Sequence, residues 1–435
     1  LKVLLITYYW PPSGGSGVQR WMYFCKYLSE FGIEPVVVTV DPDLASYKFI
    51  DKSFLKKVES IKAYKTSTLE PFSVYSKLQV NKSVKDSIPQ GFAGESNPSI
   101  VQKISRAIRG NLFIPDARIG WNNYAFKQAD KLLKSERFDL IITTGPPHST
   151  HLVGKKLKLK HSIKWLADFR DPWSGVYYNK LMYRTRLADN YDIKLEREVL
   201  EIADSILTIG PGMKQLLSNL VNPKYHDKIE YIFNGYDEAL FSNITSNLSN
   251  DHFVICHLGI LSDNQPIDVF LSALKEFLNH NLENIFKPLK LQLIGKISPS
   301  ILEMIRNANM KVELEVVEYV EHSKAIQYMM NANLLFNSLA VMEQDKLLIS
   351  GKLMEYVASG KPILCLGSED GDAAKILAET GAGKIFNRSN QEGITNFLTD
   401  VYFGKFKRQI VDIEKYSRKS TAKELQKLLE RLTKN

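Results

Sequence analysis

The apolar positions of this 435-residue chain fall mostly in short unbroken runs, separated by longer stretches with a helical repeat. In the first half the runs are KVLLIT (2–7), PVVVTV (35–40), DLIITT (139–144), IKWLADF (163–169), SILTI (205–209) and IEYIF (229–233). Strands that are apolar on every residue belong to parallel sheets covered on both faces; a half-exposed sheet would alternate. Helical patterns lie between most of the runs. One spans 19–31, with Trp21, Phe24, Cys25 and Leu28 on one face, and another spans 188–202. The pattern then restarts with FVICHLG (253–259), KLQLIG (290–295), VELEVV (312–317), NLLFN (333–337) and PILCLG (362–367). Helices are predicted near 266–279, 298–308, 322–331, 350–359 and 372–380.

Two successive β/α ladders predict an α/β fold of two doubly wound, Rossmann-like parallel-sheet domains. The polar stretch SNITSNLSND (242–251) reads as the linker, leaving an N-terminal domain over 1–241 and a C-terminal domain over 252–410. Residues 411–435 predict a terminal helix, where Thr421 and Glu424 fit a capping box. Its stripe of Leu425, Leu428, Leu429 and Leu432 needs a partner, which packing back onto the N-terminal domain would supply.

Residues 66–122 interrupt the first ladder with Ser, Asn, Pro and Gly. An insertion this long inside a compact domain is usually functional or mobile. Inside it, PSIVQKISRAIRG (98–110) repeats isoleucine at 100, 104 and 108, with Lys103, Arg106 and Arg109 off that line. Two readings stay open: the apolar face covers the domain core, or a basic amphipathic helix lies on an anionic membrane.

Charge sharpens the second reading. The net charge is +9, and residues 1–240 carry all of it, with 34 Lys and Arg against 25 Asp and Glu. That half is expected to face something anionic: phosphate, anionic lipid or nucleic acid. The three cysteines are far apart, each in an apolar stretch, so buried core thiols in a reducing compartment are expected rather than disulfides or zinc. LKVLLITYYW is too short and too aromatic for a signal peptide. No apolar run approaches the roughly 18 residues of a membrane span. The expectation is a cytoplasmic protein, peripheral on the cytoplasmic face of the inner membrane.

The first strand opens into YYWPPSGGSGVQR (8–20). Gly14, Gly15 and Gly17 let backbone N–H groups approach a ligand at a helix start, which suits phosphate or sugar, and Arg20 adds a cation. GSGVQR begins like a dinucleotide fingerprint, and Asp41 stands where a ribose-binding acid would. Arg20 occupies the third glycine position, however, and YYWPPS makes the loop long for a pyrophosphate turn.

Further motifs carry a resemblance. SGKLMEYVASGKPILCL (350–366), IFNGYDEALF (232–241), IPDARIGW (114–121), TTGPPHSTH (143–151) and LADFRDPW (166–173), with the glycine loop, resemble the GT-B glycosyltransferases, closest to family 4. The bacterial members in question assemble envelope polysaccharides. The resemblance implies two domains facing across a cleft, a nucleotide-sugar donor in the C-terminal half, and a glycan or lipid-diphosphate-linked acceptor on the N-terminal side. It implies retention at the anomeric carbon, no resident cofactor and no metal.

On the donor side it implies that Glu355 accepts from the ribose hydroxyls and that Lys352 neutralises the leaving diphosphate. Ser350 and Gly351 would supply helix-terminal N–H groups. Gly259 would permit close approach, Lys296 would be a second diphosphate cation, and Tyr319 and Val320 would meet the base beside Glu318. On the acceptor side Arg170 would bind phosphate, Asp171 would orient a hydroxyl, and His148 would contact acceptor or sugar, with Asp116 and Arg118 shaping the site.

Two departures stand out: Leu347 replaces an acid eight residues before Glu355, and LSDNQPID (261–268) replaces the usual basic pair. The acid pairs Asp41–Asp43 and Asp370–Asp372 have turn or cap explanations, so a metal-dependent single-domain transferase is not expected. The alternatives are a nicotinamide-dependent oxidoreductase and a nucleic-acid binder. The second is disfavoured because the lysines are spread over helices rather than interleaved with aromatics.

Overall fold

The structure, a computed structural model, describes residues 1–47, 50–70, 100–175, 177–242, 244, 246–318, 320–408 and 412–434. The chain divides into two compact units, Leu1–Phe233 with Arg418–Asn435, and Asn234–Ser417.

Unit 1 is built on seven strands: β1 (Lys2–Ile6), β2 (Glu34–Val40), β3 (Lys62–Thr66), β4 (Leu140–Gly145), β5 (Lys164–Phe169), β6 (Ser205–Thr208) and β7 (Ile229–Tyr231). They lie in the order β3-β2-β1-β4-β5-β6-β7, with every pairing parallel. The helices are α1 (Ser16–Glu30), α2 (Ile100–Leu112), α3 (Asn122–Ser135), α4 (Ser149–His161), α5 (Arg186–Ile202) and α6 (Pro211–Ser218). β1 sits mid-sheet, with register running from Lys2 opposite Glu34 to Ile6 opposite Val38, and Val3 to Ile6 are all buried. Its unbroken apolar run reflects helices on both faces.

Six of these strands follow the predicted runs. The seventh, β3, has the sequence KAYKT and carries no such run, because it is an edge strand whose lysines face water.

Unit 2 holds β8 (Phe253–Leu258), β9 (Leu289–Ile294), β10 (Val312–Val317), β11 (Leu334–Ser338), β12 (Ile363–Leu366) and β13 (Gly383–Phe386). The order is β10-β9-β8-β11-β12-β13, again all parallel. Its helices are α7 (Asp268–His280), α8 (Pro299–Asn307), α9 (His322–Asn331), α10 (Leu353–Ala358), α11 (Asp372–Thr380) and α12 (Gln391–Tyr402). The edge strand β10 (VELEVV) alternates Glu313 and Glu315 outward, where Lys290 bridges them at 2.9 and 2.8 Å. β13 (GKIF) is too short and too polar to announce itself in the sequence.

The final helix, α13 (Arg418–Lys434), belongs to unit 1. Ala422, Leu425, Leu428 and Leu429 join the core formed by Trp21, Phe24, Cys25 and Leu28 of α1. Burying four such side chains contributes about 1.5–3 kcal/mol for each leucine. Arg418 stacks its guanidinium 3.7 Å from the Tyr23 ring centroid.

α2 departs from one of the two readings of its sequence. Its isoleucines do not cover the core: Ile100, Ile104, Ile108 and Leu112 are exposed, and Arg106 and Gly110 face inward. The part of the insertion over 71–99 lies outside the described residues.

Candidate functional site

In unit 2 the chemistry gathers where β8 and β9 end. Gly259 follows β8 with φ +102°, and Gly295 follows β9 with φ +124°, conformations that L side chains rarely adopt. A Cβ on Gly295 would fall 2.3 Å from the Gly259 carbonyl oxygen, so only glycine fits there. The strand ends are tied side by side: Gly259 N–H donates to Ile294 O at 2.7 Å, and Gly295 N–H to Val317 O at 2.8 Å. This leaves bare backbone at the carboxyl ends of the strands, where doubly wound sheets place their ligands.

Lys352 reaches onto this floor. Its Nζ lies 3.1 Å from where a Gly259 Cβ would stand, and 3.4 Å from Nε2 of His257. His257 is fully buried in β8, and its Nδ1 lies 3.1 Å from Phe336 O. A carbonyl only accepts, so Nδ1 carries the proton. Burial, then the Lys352 charge, holds the imidazole well below its usual pKa and therefore neutral, which leaves Nε2 to accept from Lys352. Burial lowers the Lys352 ammonium to about 8, against the opposing influence of Cys365, Cys256 and Glu355. A cation whose charge is this costly to keep has most to gain from an anionic ligand.

Glu355, on the short helix α10, has Oε1 2.8 Å from Nε2 of His322, the first residue of α9. Tyr356 fixes α10 against the sheet, because its hydroxyl accepts from Leu258 N–H at 2.9 Å. Glu355 therefore sits within one turn of Lys352, and α10 is pinned to the end of β8.

The helix expected to begin near Ser350 begins at Leu353 and is only six residues long. Ser350 and Gly351 lie in the preceding turn, where the Ser350 hydroxyl accepts from Asn337 Nδ2 at 3.1 Å and its carbonyl from Leu353 N–H at 2.9 Å. They are not the helix-terminal donors the sequence suggested, because Asn337 at the end of β11 draws the turn to the sheet. Lys296 is exposed beside Gly295, and its carbonyl accepts from Leu261 N–H at 3.0 Å. Val320 follows β10, and Tyr319 lies outside the described residues. Leu347 ends a 3₁₀ turn, Asp345–Leu347, beside the Lys346–Asp370 ion pair at 2.5 Å.

In unit 1 the glycine loop leads into α1. Gly15 precedes the helix with φ +89°, and nothing lies within 4 Å of where its Cβ would be. The Gly17 carbonyl accepts from Nη1 of Arg170. Arg170 also donates from Nε to Gly145 O at 3.0 Å and from Nη2 to Pro146 O at 2.7 Å. Its guanidinium thus ties the glycine loop to the loop that follows β4, instead of standing open for an acceptor phosphate. Arg20 is also withdrawn from the loop: it pairs at 3.1 Å with Asp168, both fully buried, and donates to Ile232 O at 2.8 Å. Asp168 accepts in addition from Trp21 Nε1 at 2.6 Å and Thr144 Oγ1 at 2.8 Å. The cation expected in the first turn is therefore a core ion pair.

Asp171, next after Arg170, is exposed. His148 precedes α4 and stacks on Trp173 with centroids 5.4 Å apart and planes 12° apart. His151 stacks on Phe169 at 4.4 Å. Burial, then the nearby Arg170 charge, lowers His148 to about 3. Both its ring nitrogens are buried with no hydrogen-bond partner among the described residues. His148 is thus part of an aromatic stack, not a solvent-facing loop histidine. Asp116 accepts from Ser149 N–H and Oγ at 2.8 and 2.9 Å, capping α4, and Arg118 pairs with Glu70 at 2.8 Å.

The structure thus brings Gly259, Lys352 and Glu355 into one site and adds His257, His322 and Asn337, which sequence reasoning did not select. A histidine inside the apolar run FVICHLG was the one available signal for His257.

No protein-family model matches the chain, and no curated protein matches it. Solved structures do. A glycosyltransferase from Rickettsia africae ESF-5 is 15% identical, with 100% of this chain and 99% of that chain covered at a TM-score of 0.59. The lipopolysaccharide outer core galactosyltransferase WaaB, in its apo form, is 12% identical, with 99% of each chain covered at 0.58. The catalytic domain of Arabidopsis thaliana starch synthase IV, bound to ADP and acarbose, is 12% identical, with 100% of each chain covered at 0.57. At these identities the likeness is one of fold, and it extends over the whole chain through both parallel sheets. The chain has the GT-B fold.

Proposed function

We propose that this protein is a retaining, family-4-like glycosyltransferase that moves a sugar from a nucleotide-sugar donor to a glycan or lipid-linked glycan acceptor in envelope polysaccharide or glycoprotein glycan assembly. The observation that carries the reading is Lys352 held over the Gly259–Gly295 floor, with Glu355 one turn further on. A nucleoside diphosphate needs close backbone approach, a cation and a carboxylate for its ribose hydroxyls, and all three stand at one strand edge.

In the proposed reaction the bond from the anomeric carbon to the donor phosphate breaks, and a bond to the acceptor oxygen forms on the same face. The acceptor proton passes to the departing phosphate oxygen, so no second carboxylate is required. The Lys352 ammonium stabilises the charge developing on the diphosphate. Glu355 holds the ribose, Lys296 is a second cation for the diphosphate, and Val320 lies by the base. In unit 1, Arg170 acts as the strut that sets the Gly14–Gly17 loop, and Asp171 is the group open to orient an acceptor hydroxyl. The enzyme is expected to work without a divalent metal, on the cytoplasmic side of the membrane.

The test is calorimetric titration with UDP-, GDP-, ADP- and CMP-sugars, NAD and NADP in the presence of EDTA, for the native chain and Lys352→Ala. Saturable binding of one sugar nucleotide, weakened at least tenfold in the variant, supports the reading and identifies the base. Binding of NAD or NADP alone overturns it.

A further inference from the structure

Helix α2 is amphipathic in the inverted sense. At 100° per residue, Ile100, Ile104, Ile108 and Leu112 form one continuous stripe. That stripe is solvent-exposed, at 76%, 55%, 49% and 73%. The face turned inward carries Arg106, only 7% exposed, and Gly110, where a Cβ would lie 2.6 Å from the Met182 carbonyl oxygen. The orientation is held by polar bonds: Arg184 Nε donates to Gly110 O at 3.0 Å, Thr185 N–H to Asn111 Oδ1 at 2.8 Å, and Asn111 Nδ2 to Tyr183 O at 3.1 Å. The same bonds bring the start of α5 alongside, with Tyr183, Leu187 and Tyr191 at 48%, 83% and 52% exposed.

We propose that this outward face of α2, together with the start of α5, docks the protein on an anionic lipid surface. Charge selects that partner. α2 contains Lys103, Arg106 and Arg109 and no acidic residue. Lys103 and Arg109 flank the isoleucine stripe on opposite sides of the helix, and Lys103 is exposed. On α5, Arg186 and Lys194 are exposed beside Leu187 and Tyr191; of the nearby acids, Asp189 lies 3.8 Å from Arg184, Asp192 is buried, and Glu198 lies 4.0 Å from Lys194. An apolar stripe bordered by cations sinks into the headgroup boundary while its charges meet anionic headgroups. The unit bearing it also carries the excess positive charge of the chain. No helix among the described residues is long and apolar enough to cross a membrane, so the association would be peripheral. This inference does not depend on the donor chemistry of unit 2.

The test is co-sedimentation with vesicles of phosphatidylcholine alone and of phosphatidylcholine with about one-third phosphatidylglycerol, comparing the native chain, Ile104→Asp/Ile108→Asp and Lys103→Glu. The substituted side chains are exposed, and unchanged thermal melting and nucleotide-sugar titration confirm that fold and donor site persist. The expected result is binding to the anionic vesicles only, weakened by added salt, roughly tenfold or more by the double substitution and less by Lys103→Glu. Equal binding to neutral vesicles, no vesicle binding, or an undiminished double variant overturns the proposal. So does a concentration-dependent dimer, seen by analytical ultracentrifugation, that the double substitution abolishes, since the face would then belong to a second copy of the chain.

Discussion

Nζ of Lys352 lies 3.4 Å from Nε2 of His257, a neutral imidazole whose Nδ1 proton is held by the Phe336 carbonyl. The lysine is thereby aimed across Gly259 by a partner that adds no charge. Its ammonium, lowered to about 8 from 10.5, is only weakly protonated above that pH in the free protein. A diphosphate binds the protonated form, so affinity should be level below pH 8 and fall by up to about tenfold per unit above it. Calorimetry from pH 6 to 9.5 checks this, and Lys352→Arg should remove the decline.

His257→Leu should keep the fold and leave Lys352 unaimed. The expected loss in nucleotide affinity is about three- to tenfold, as for one charge-assisted hydrogen bond. If His257 only fills the core, the pH profile of binding will not move; a positioning role shifts its midpoint.

Gly259→Ala puts a methyl group 3.1 Å from the Lys352 ammonium, at φ +102°. Both effects act against the site, through about 1–2 kcal/mol of backbone strain and a displaced cation. Nucleotide binding should weaken by at least tenfold while thermal melting drops only modestly.

Glu355 and His322 are 2.8 Å apart, and a ribose would share that carboxylate. Glu355→Ala should weaken nucleotide binding by about ten- to a hundredfold. His322→Ala should have a smaller effect, because it leaves the carboxylate in place. Unchanged affinity in folded Glu355→Ala removes this residue from the donor site.

Asp168→Ala strands Arg20, which is buried with it, and orphans the Trp21 indole and Thr144 hydroxyl. Loss of one member of a buried pair costs about 3–5 kcal/mol. The measurement is urea unfolding, and the expected result is a large fall in midpoint.

Burial raises the Glu196 carboxyl to about 7 from 4.5, although it accepts from Ser174 N–H at 3.2 Å. Between those two values the folded state holds the proton more tightly than the unfolded chain. This group therefore loses stability as pH rises from 4.5 to 7 and carries the full penalty above it. Glu196→Gln should be stabilising at pH 8, on the order of 1 kcal/mol or more, and near neutral at pH 4.5. Melting temperatures at the two pH values decide it.

The sequence by itself determined the two parallel ladders. β1, β2 and β8 are so completely buried that their apolar runs could serve nothing else, and the leucine stripe of α13 required a partner. It also marked Gly259, Lys352 and Glu355, through the resemblance carried by motifs such as SGKLMEYVASGKPILCL and not by periodicity. It did not show β3 and β13, which are short edge strands with polar faces.

Only tertiary structure decided which charged groups remain available. Arg20 and Arg170 look alike in sequence as cations beside a glycine loop. In the fold one is matched by Asp168, 148 positions away, and the other by three carbonyls of two separate loops. The same holds for α2, whose pattern states that it has two faces but not which one turns inward. That choice rests on Arg184, Thr185 and Tyr183, more than 70 residues downstream. Periodicity is a property of neighbouring residues, whereas the satisfaction of a buried charge depends on groups that only folding brings together.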